Sequence, residues 1–268
     1  KNNSNYHFDL YDLGSYREEV RKKIKNQSNV MPLDIKIKSV SDLIQSIISS
    51  RLTEKPYNWL ICEGTTEKIY LSQYLKDLVE NHSLRIVPVG GASEVKKIFK
   101  HLEASYDEYK KDLKGKIFLL TDTDSELVSY NTTNMKNIVS KRIVNVGEKT
   151  KLVDISSNPV SPSTEIEDCL NPVIFLESLR NFIPQFSEIE SLLPSEGASI
   201  DENQSSSSAM DLTPKKKIIF DRILNEDGMK YKIAKEYSII SETKNHIKPD
   251  WIAKIEGFFM NSKDVKFG

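Results

Sequence analysis

Short uninterrupted apolar runs alternate with longer stretches of helical spacing between Tyr57 and Asp124. The run from Tyr57 to Cys62, stopped by Glu63-Gly64, predicts a buried strand that ends in a turn. Thr65 then opens a helix, whose apolar positions Ile69, Leu71, Tyr74, Leu75 and Leu78 carry it to about Glu80. A second strand, Leu84 to Val89, meets Gly90-Gly91. Ser93 is an N-cap for a helix through Val95, Ile98, Phe99 and Leu102, and a third strand, Lys116 to Leu120, ends in Thr121-Asp122-Thr123-Asp124. Strand, helix, strand, helix, strand is the order of a parallel sheet wound by right-handed crossovers. The fold class is therefore α/β, a mainly parallel sheet flanked by helices.

The flanks read differently. Residues 1–55 are polar and lysine-rich, with a helix at Ser15 to Lys25 and another at Ser39 to Ser50, where Val40, Leu43, Ile44, Ile47 and Ile48 form a stripe that needs a partner. Residues 56–186 form the core, with two further short strands at Lys141 to Val146 and Lys151 to Ile155 turning at Gly147, and a helix from Asn171 to Phe182. Residues 187–216 contain a serine run and few apolar positions, the composition of a mobile insertion. Residues 217–268 return to helical spacing at Ile218 to Leu224, Tyr231 to Ile240 and Trp251 to Met260. No internal repeat is found.

Composition narrows the class of function. The chain has 38 Lys+Arg against 39 Asp+Glu and a net charge of -1, so no global positive field draws it to nucleic acid or to an anionic membrane. Such contacts must use a local patch. No apolar run approaches the ~20 residues that span a bilayer, and no signal peptide is visible. The two cysteines, Cys62 and Cys169, make neither a disulfide framework nor a metal motif, which points to the cytoplasm. A first residue of Lys1 is compatible with an upstream segment. There is no phosphate loop of the Gly-x-x-x-x-Gly-Lys-Ser/Thr type, and the four histidines are scattered.

The chemistry that remains is acidic. In open α/β sheets ligands bind at the carboxyl edge of the strands, which gathers Glu63, Gly90-Gly91, Asp122 and Asp124 along one rim. Glu67 lies one helical turn beyond Glu63, and the period of a strand points Asp122 and Asp124 the same way. Carboxylates so gathered repel each other, and a divalent cation relieves the repulsion. Oxygen ligation without His or Cys selects Mg²⁺ or Mn²⁺ over Zn²⁺. The alternative for each acid is local: Asp-x-Asp as turn chemistry, Glu67 as a first-turn dipole residue, and Gly90-Gly91 as a tight turn.

The segment Glu63-Gly64-Thr65-Thr66-Glu67, then Gly90-Gly91, then Asp122-Thr123-Asp124 resembles the TOPRIM fold, the metal-binding domain of topoisomerases, bacterial primases and overcoming-lysogenization-defect (OLD) nucleases, and it is nearest the OLD type. The resemblance spans about residues 57 to 125. Two fragments extend it. Ser163-Thr164-Glu165-Ile166-Glu167-Asp168 is similar to the later acidic motif, with Glu167, or else Glu165, holding a second metal; read locally, it is a helix start capped by Ser163 or Thr164. Lys230-Tyr231-Lys232 is similar to the lysine segment of those nucleases, with Lys230, or else Lys232, stabilising charge on the phosphate.

What the resemblance implies is an Mg²⁺- or Mn²⁺-dependent endonuclease acting on DNA in preference, or on RNA. Glu63, Asp122 and Lys230 would be catalytic, and Glu63, Glu67, Asp122, Asp124 and Glu167 would hold two ions. It further implies an ATPase domain or subunit, fused upstream or separate, with residues 1–55 as a linker or docking segment, an oligomeric assembly, and work in anti-phage defence. The other reading is a non-catalytic nucleic-acid-binding or sensor subunit.

Overall fold

The computed structural model describes residues 33–50, 56–111, 113–123, 128, 130–132, 135–195 and 197–260, with side chains from Val40 onward. The expected helix at Ser15 to Lys25 lies outside the described residues. The chain divides into units 1–46 and 47–268. In the first, the described residues belong to helix α1 (Leu33–Ser49), on which Leu43 and Ile44 are buried. In the second, Ile47 is buried and Ser50 Oγ accepts the indole N–H of Trp59 at 3.2 Å.

The second unit is built on a five-stranded sheet of β1 (Asn58–Cys62), β2 (Leu84–Pro88), β3 (Ile117–Thr121), β4 (Ile138–Val146) and β5 (Lys149–Asp154), in the order β2-β1-β3-β4-β5. The first four strands are parallel, and β5 closes the edge as an antiparallel hairpin with β4. Its turn at Gly147 has φ 63°, a left-handed conformation open to glycine. β4 begins at Ile138, three residues before the start the apolar run suggests, because register with β3 continues back through Ser140, Val139 and Ile138.

Both faces of the sheet are covered, which is why β1 from Trp59 and β3 read as short apolar runs. On one face Leu60, Cys62, Phe118 and Leu120 join a core with α2 (Thr65–Tyr74), α3 (Lys76–Asn81), α6 (Pro172–Arg180), α9 (Pro214–Asn225), α10 (Met229–Thr243) and α11 (Asp250–Phe259). On the other, α4 (Ala92–Ala104) lies against β1 and β3, followed by the short α5 (Tyr106–Tyr109). The helix expected from Thr65 to Glu80 divides at Leu75, whose φ of -104° and ψ of 24° redirect the chain so that Tyr74 and Leu78 are both buried.

The serine-rich stretch is not a loose excursion. It carries α7 (Ile189–Leu192) and α8 (Ser206–Ala209), and Ile189, Leu192, Ser205, Ser206 and Met210 are buried. Composition points the other way because these serines replace apolar burial with hydrogen bonds. Ser206 Oγ donates to the Glu167 carbonyl at 2.5 Å and accepts from Leu170 N at 3.2 Å, and Ser205 N donates to the Glu148 carbonyl at 2.8 Å. No helix among the described residues is long and apolar enough to cross a membrane.

Candidate active site

Glu63 follows the last residue of β1, and Asp122 follows the last residue of β3, its neighbour in the sheet. Glu63 Oε1 accepts the backbone N–H of Asp122 at 2.8 Å, so one carboxylate is fixed by the backbone that carries the other. The glycine pair fixes the same residue from the opposite side. Gly90 N and Gly91 N donate to the Glu63 carbonyl at 2.6 and 3.1 Å. Their φ values of 96° and 121° let two successive N–H groups aim at one oxygen, a conformation that disfavours any side chain. These amides serve Glu63 rather than standing open to a phosphate.

Glu67 arrives from the first turn of α2 and is buried, its Oε2 accepting from Thr66 Oγ1 at 3.3 Å. Gly64 leaves the space it occupies: a Cβ there would lie 2.6 Å from Glu67 Oε2. Lys68, the next residue, is half-buried.

The later acidic motif joins this edge through the backbone. Thr123 and Thr164 form an antiparallel bridge, with Thr123 N to Thr164 O at 3.0 Å and Thr164 N to Thr123 O at 2.8 Å. The bridge delivers Glu165 and Glu167 beside Asp122. The motif is a single 3-10 turn (Ile166–Asp168) after Glu165, where a helix capped by Ser163 or Thr164 was expected. Asp168 supplies the capping carboxylate to Glu165 N at 3.0 Å, while Thr164 Oγ1 accepts from Asn145 N at 3.1 Å.

A buried guanidinium holds the approach. Arg142, on β4, donates Nη1 to Thr123 Oγ1 at 2.8 Å and Nη2 to the Pro159 carbonyl at 2.6 Å and to the Ser157 carbonyl. Arg142 thus ties the loop before Thr164 to the residue after Asp122. Its Nε is buried without a hydrogen-bond partner among the described residues.

The electrostatics show one field of like charges. The Asp122 carboxyl is pushed well above the usual range by desolvation and by repulsion from Glu67, Glu63, Glu167 and Glu165. Glu167, 2% exposed, is pushed up to about 8 by burial and by Glu67 and Glu165, against the pull of Lys230. Burial likewise raises Glu67, opposed by hydrogen bonds at its own helix start and by Lys230. Lys230 stands among them with its ammonium 2.9 Å from Glu165 Oε1, and these acids raise its pKa despite its desolvation. Lys217, on α9, lies 3.5 Å from Asp168.

Glu63, Glu67, Asp122, Glu167 and Lys230 are therefore neighbours, and Glu165 is the acid that engages Lys230. Asp124 lies outside the described residues. Lys232 is exposed. Among the described residues no three His, Cys, Asp or Glu side chains gather at a spacing that would hold a metal ion. The donor set nevertheless suits one. It is all oxygen, its members raise each other's pKa, and Glu167 Oε1 is buried with no hydrogen-bond partner among the described residues. Sequence reasoning overlooks Thr123, Thr164 and Arg142, which act through backbone or at a distance. It also overlooks Tyr70, one turn after Glu67, whose buried hydroxyl has no hydrogen-bond partner among the described residues and is raised by burial and by Glu167 and Glu67.

No curated protein and no solved structure matches the chain. Residues 57–124 match the family model described as "Overcoming lysogenization defect protein-like, TOPRIM domain". The match runs from the residue before β1 to the second aspartate after β3, the stretch that sets Glu63 against Asp122. Residues 57–124 are thus a TOPRIM domain of the OLD type, and that domain supports an action on nucleic acid.

Proposed function

We propose that the protein is a metal-dependent endonuclease that hydrolyses phosphodiester bonds in DNA, or in RNA. The observation that carries this reading is the position of Asp122, hydrogen-bonded through its backbone to Glu63 and repelled by the carboxylates of Glu63, Glu67, Glu165 and Glu167. Such a constellation is costly unless a cation compensates it. Glu63, Glu67, Asp122, Asp124 and Glu167 would hold Mg²⁺ or Mn²⁺, as two ions. Bound there, the metal supplies Lewis acidity toward the phosphate and a lowered pKa for an attacking water.

The chain's own residues do the rest. The hydrogen bond to Asp122 N keeps the Glu63 carboxylate turned toward the rim. Glu167, with its pKa of about 8, holds a proton at neutral pH and would bind a cation as the carboxylate. Lys230 brings a full positive charge to the edge where phosphate oxygens would gain negative charge as the P–O bond to the leaving oxygen breaks. The resemblance to OLD-type nucleases supports coupling to an ATPase domain or subunit, an oligomeric assembly, and a role in cytoplasmic antiviral defence.

A second reading is a non-catalytic nucleic-acid-binding or sensor subunit. It is favoured by the way Lys230 and Lys217 already neutralise Glu165 and Asp168. A cleavage panel of plasmid, single-stranded DNA and transfer RNA, with Mg²⁺ or Mn²⁺ and with or without an ATPase partner, separates the two. A hydrolase cuts at least one substrate and loses cutting in Asp122→Asn. A binding subunit cuts none.

A further inference from the structure

We propose that Tyr231 and the lysines beside it on α10 form a platform that stacks an unpaired base of the bound strand and contacts its phosphates. The proposal takes its location from the hydrolase reading, but it is a claim about binding and is tested without cleavage.

The first turn of α10 sends two adjacent side chains in different directions. Lys230 turns inward to Glu165, while Tyr231 turns outward with 49% of its surface exposed. An exposed tyrosine alone means little. This one has a cation one turn away: Lys235 Nζ lies 5.7 Å from the centroid of its ring, which orders the phenol in advance. Lys232 is exposed on the same turn, and neither Lys232 nor Lys235 sits in an ion pair among the described residues. The nearest acid further along the helix, Glu236, is engaged by Asn181 Nδ2 at 2.6 Å. Lys232 and Lys235 with the exposed Tyr231 ring make a local positive, aromatic surface on a chain of net charge -1.

Its position selects its occupant. Tyr231 is the residue after the one whose ammonium reaches the acidic rim, so a strand that leaves that rim along the outer face of α10 meets the ring. Aromatic platforms with flanking cations bind bases whose faces are uncovered, because within a duplex those faces are taken by the neighbouring pairs. The favoured ligand is thus a single strand, or a duplex opened at the cut site.

The test is fluorescence anisotropy of the full chain, in chelator, with a labelled thymidine oligomer and a blunt duplex of equal length. The oligomer is expected to bind more tightly than the duplex. Tyr231→Ala should weaken oligomer binding by roughly 5- to 150-fold, the loss of one stacked base, and Tyr231→Phe should bind like the parent. Lys235→Ala should lower the slope of log affinity against log salt by about one. Equal affinity of Tyr231→Ala and parent for the oligomer, or tighter binding of the duplex, overturns the platform. If the platform variants behave as expected while the parent cuts nothing, the hydrolase reading falls and the platform stands. If the parent cuts and Tyr231→Ala binds normally, the reverse holds.

Discussion

The side chain of Glu63 accepts the backbone N–H of Asp122 at 2.8 Å, joining the ends of two neighbouring parallel strands through one catalytic candidate and the peptide of another. Glu63 therefore has two separable duties, as a hydrogen-bond acceptor and as a negative charge. Glu63→Gln keeps an acceptor oxygen and removes the charge. It should fold with an unchanged circular dichroism spectrum and lose on the order of 100-fold or more in metal-dependent cleavage. Glu63→Ala should in addition lose ~1–3 kcal/mol of stability in urea, the cost of an N–H left without its acceptor.

The raised Glu167 carboxyl makes the metal-free protein sensitive to base. Its folded pKa of about 8 lies above the ordinary glutamate value of 4.5. The folded state therefore holds the proton more tightly, the stabilisation is complete below about pH 4.5, and it is lost as the pH rises through about 8. In chelator the thermal midpoint should fall across that window, and Glu167→Gln should flatten the fall. Saturating Mn²⁺ should raise the midpoint most at the alkaline end, where the carboxylate is ready to bind.

Two glycines make opposite predictions. At Gly64 a Cβ would meet the mobile end of Glu67, 2.6 Å away. Gly64→Ala should change stability by less than ~1 kcal/mol, because that side chain can swing aside, yet weaken Mn²⁺ binding by displacing Glu67. At Gly115 the Cβ would meet the Tyr57 carbonyl oxygen at 2.1 Å, a backbone atom that cannot swing aside. Gly115→Ala should cost ~1–3 kcal/mol or more, measured by chemical denaturation.

Arg142→Met leaves Thr123 Oγ1 and the carbonyls of Ser157 and Pro159 without their donor in a buried place. A loss of roughly 3 kcal/mol or more is expected, with protease cleavage appearing between residues 157 and 162. Arg142→Lys should recover little of it, since one ammonium cannot reproduce the planar fork.

The sheet was legible because its central strands are covered on both faces, and Trp59 to Cys62 and Ile117 to Leu120 show it as unbroken apolar runs. The rim was legible because each run stops at an acid or a glycine pair. What could not be read was anything held by long-range hydrogen bonds. Nothing in the spacing pairs Thr123 with Thr164, 41 residues apart, or aims Arg142 at a loop carbonyl. The serines near 206 suggested a mobile stretch because polarity predicts solvent, yet Ser206 is buried under the Glu167 carbonyl. Lys230 was legible only through family likeness, and its partner Glu165 is visible only in the fold.

The most direct measurement is equilibrium binding of Mn²⁺ to the purified chain, followed by the loss of the free-ion electron paramagnetic resonance signal. The account predicts saturable binding that is lost in Asp122→Asn and weakened in Glu167→Gln. A parent that binds no Mn²⁺, or an Asp122→Asn variant that binds it as the parent does, would contradict the proposal that these carboxylates exist to hold a cation.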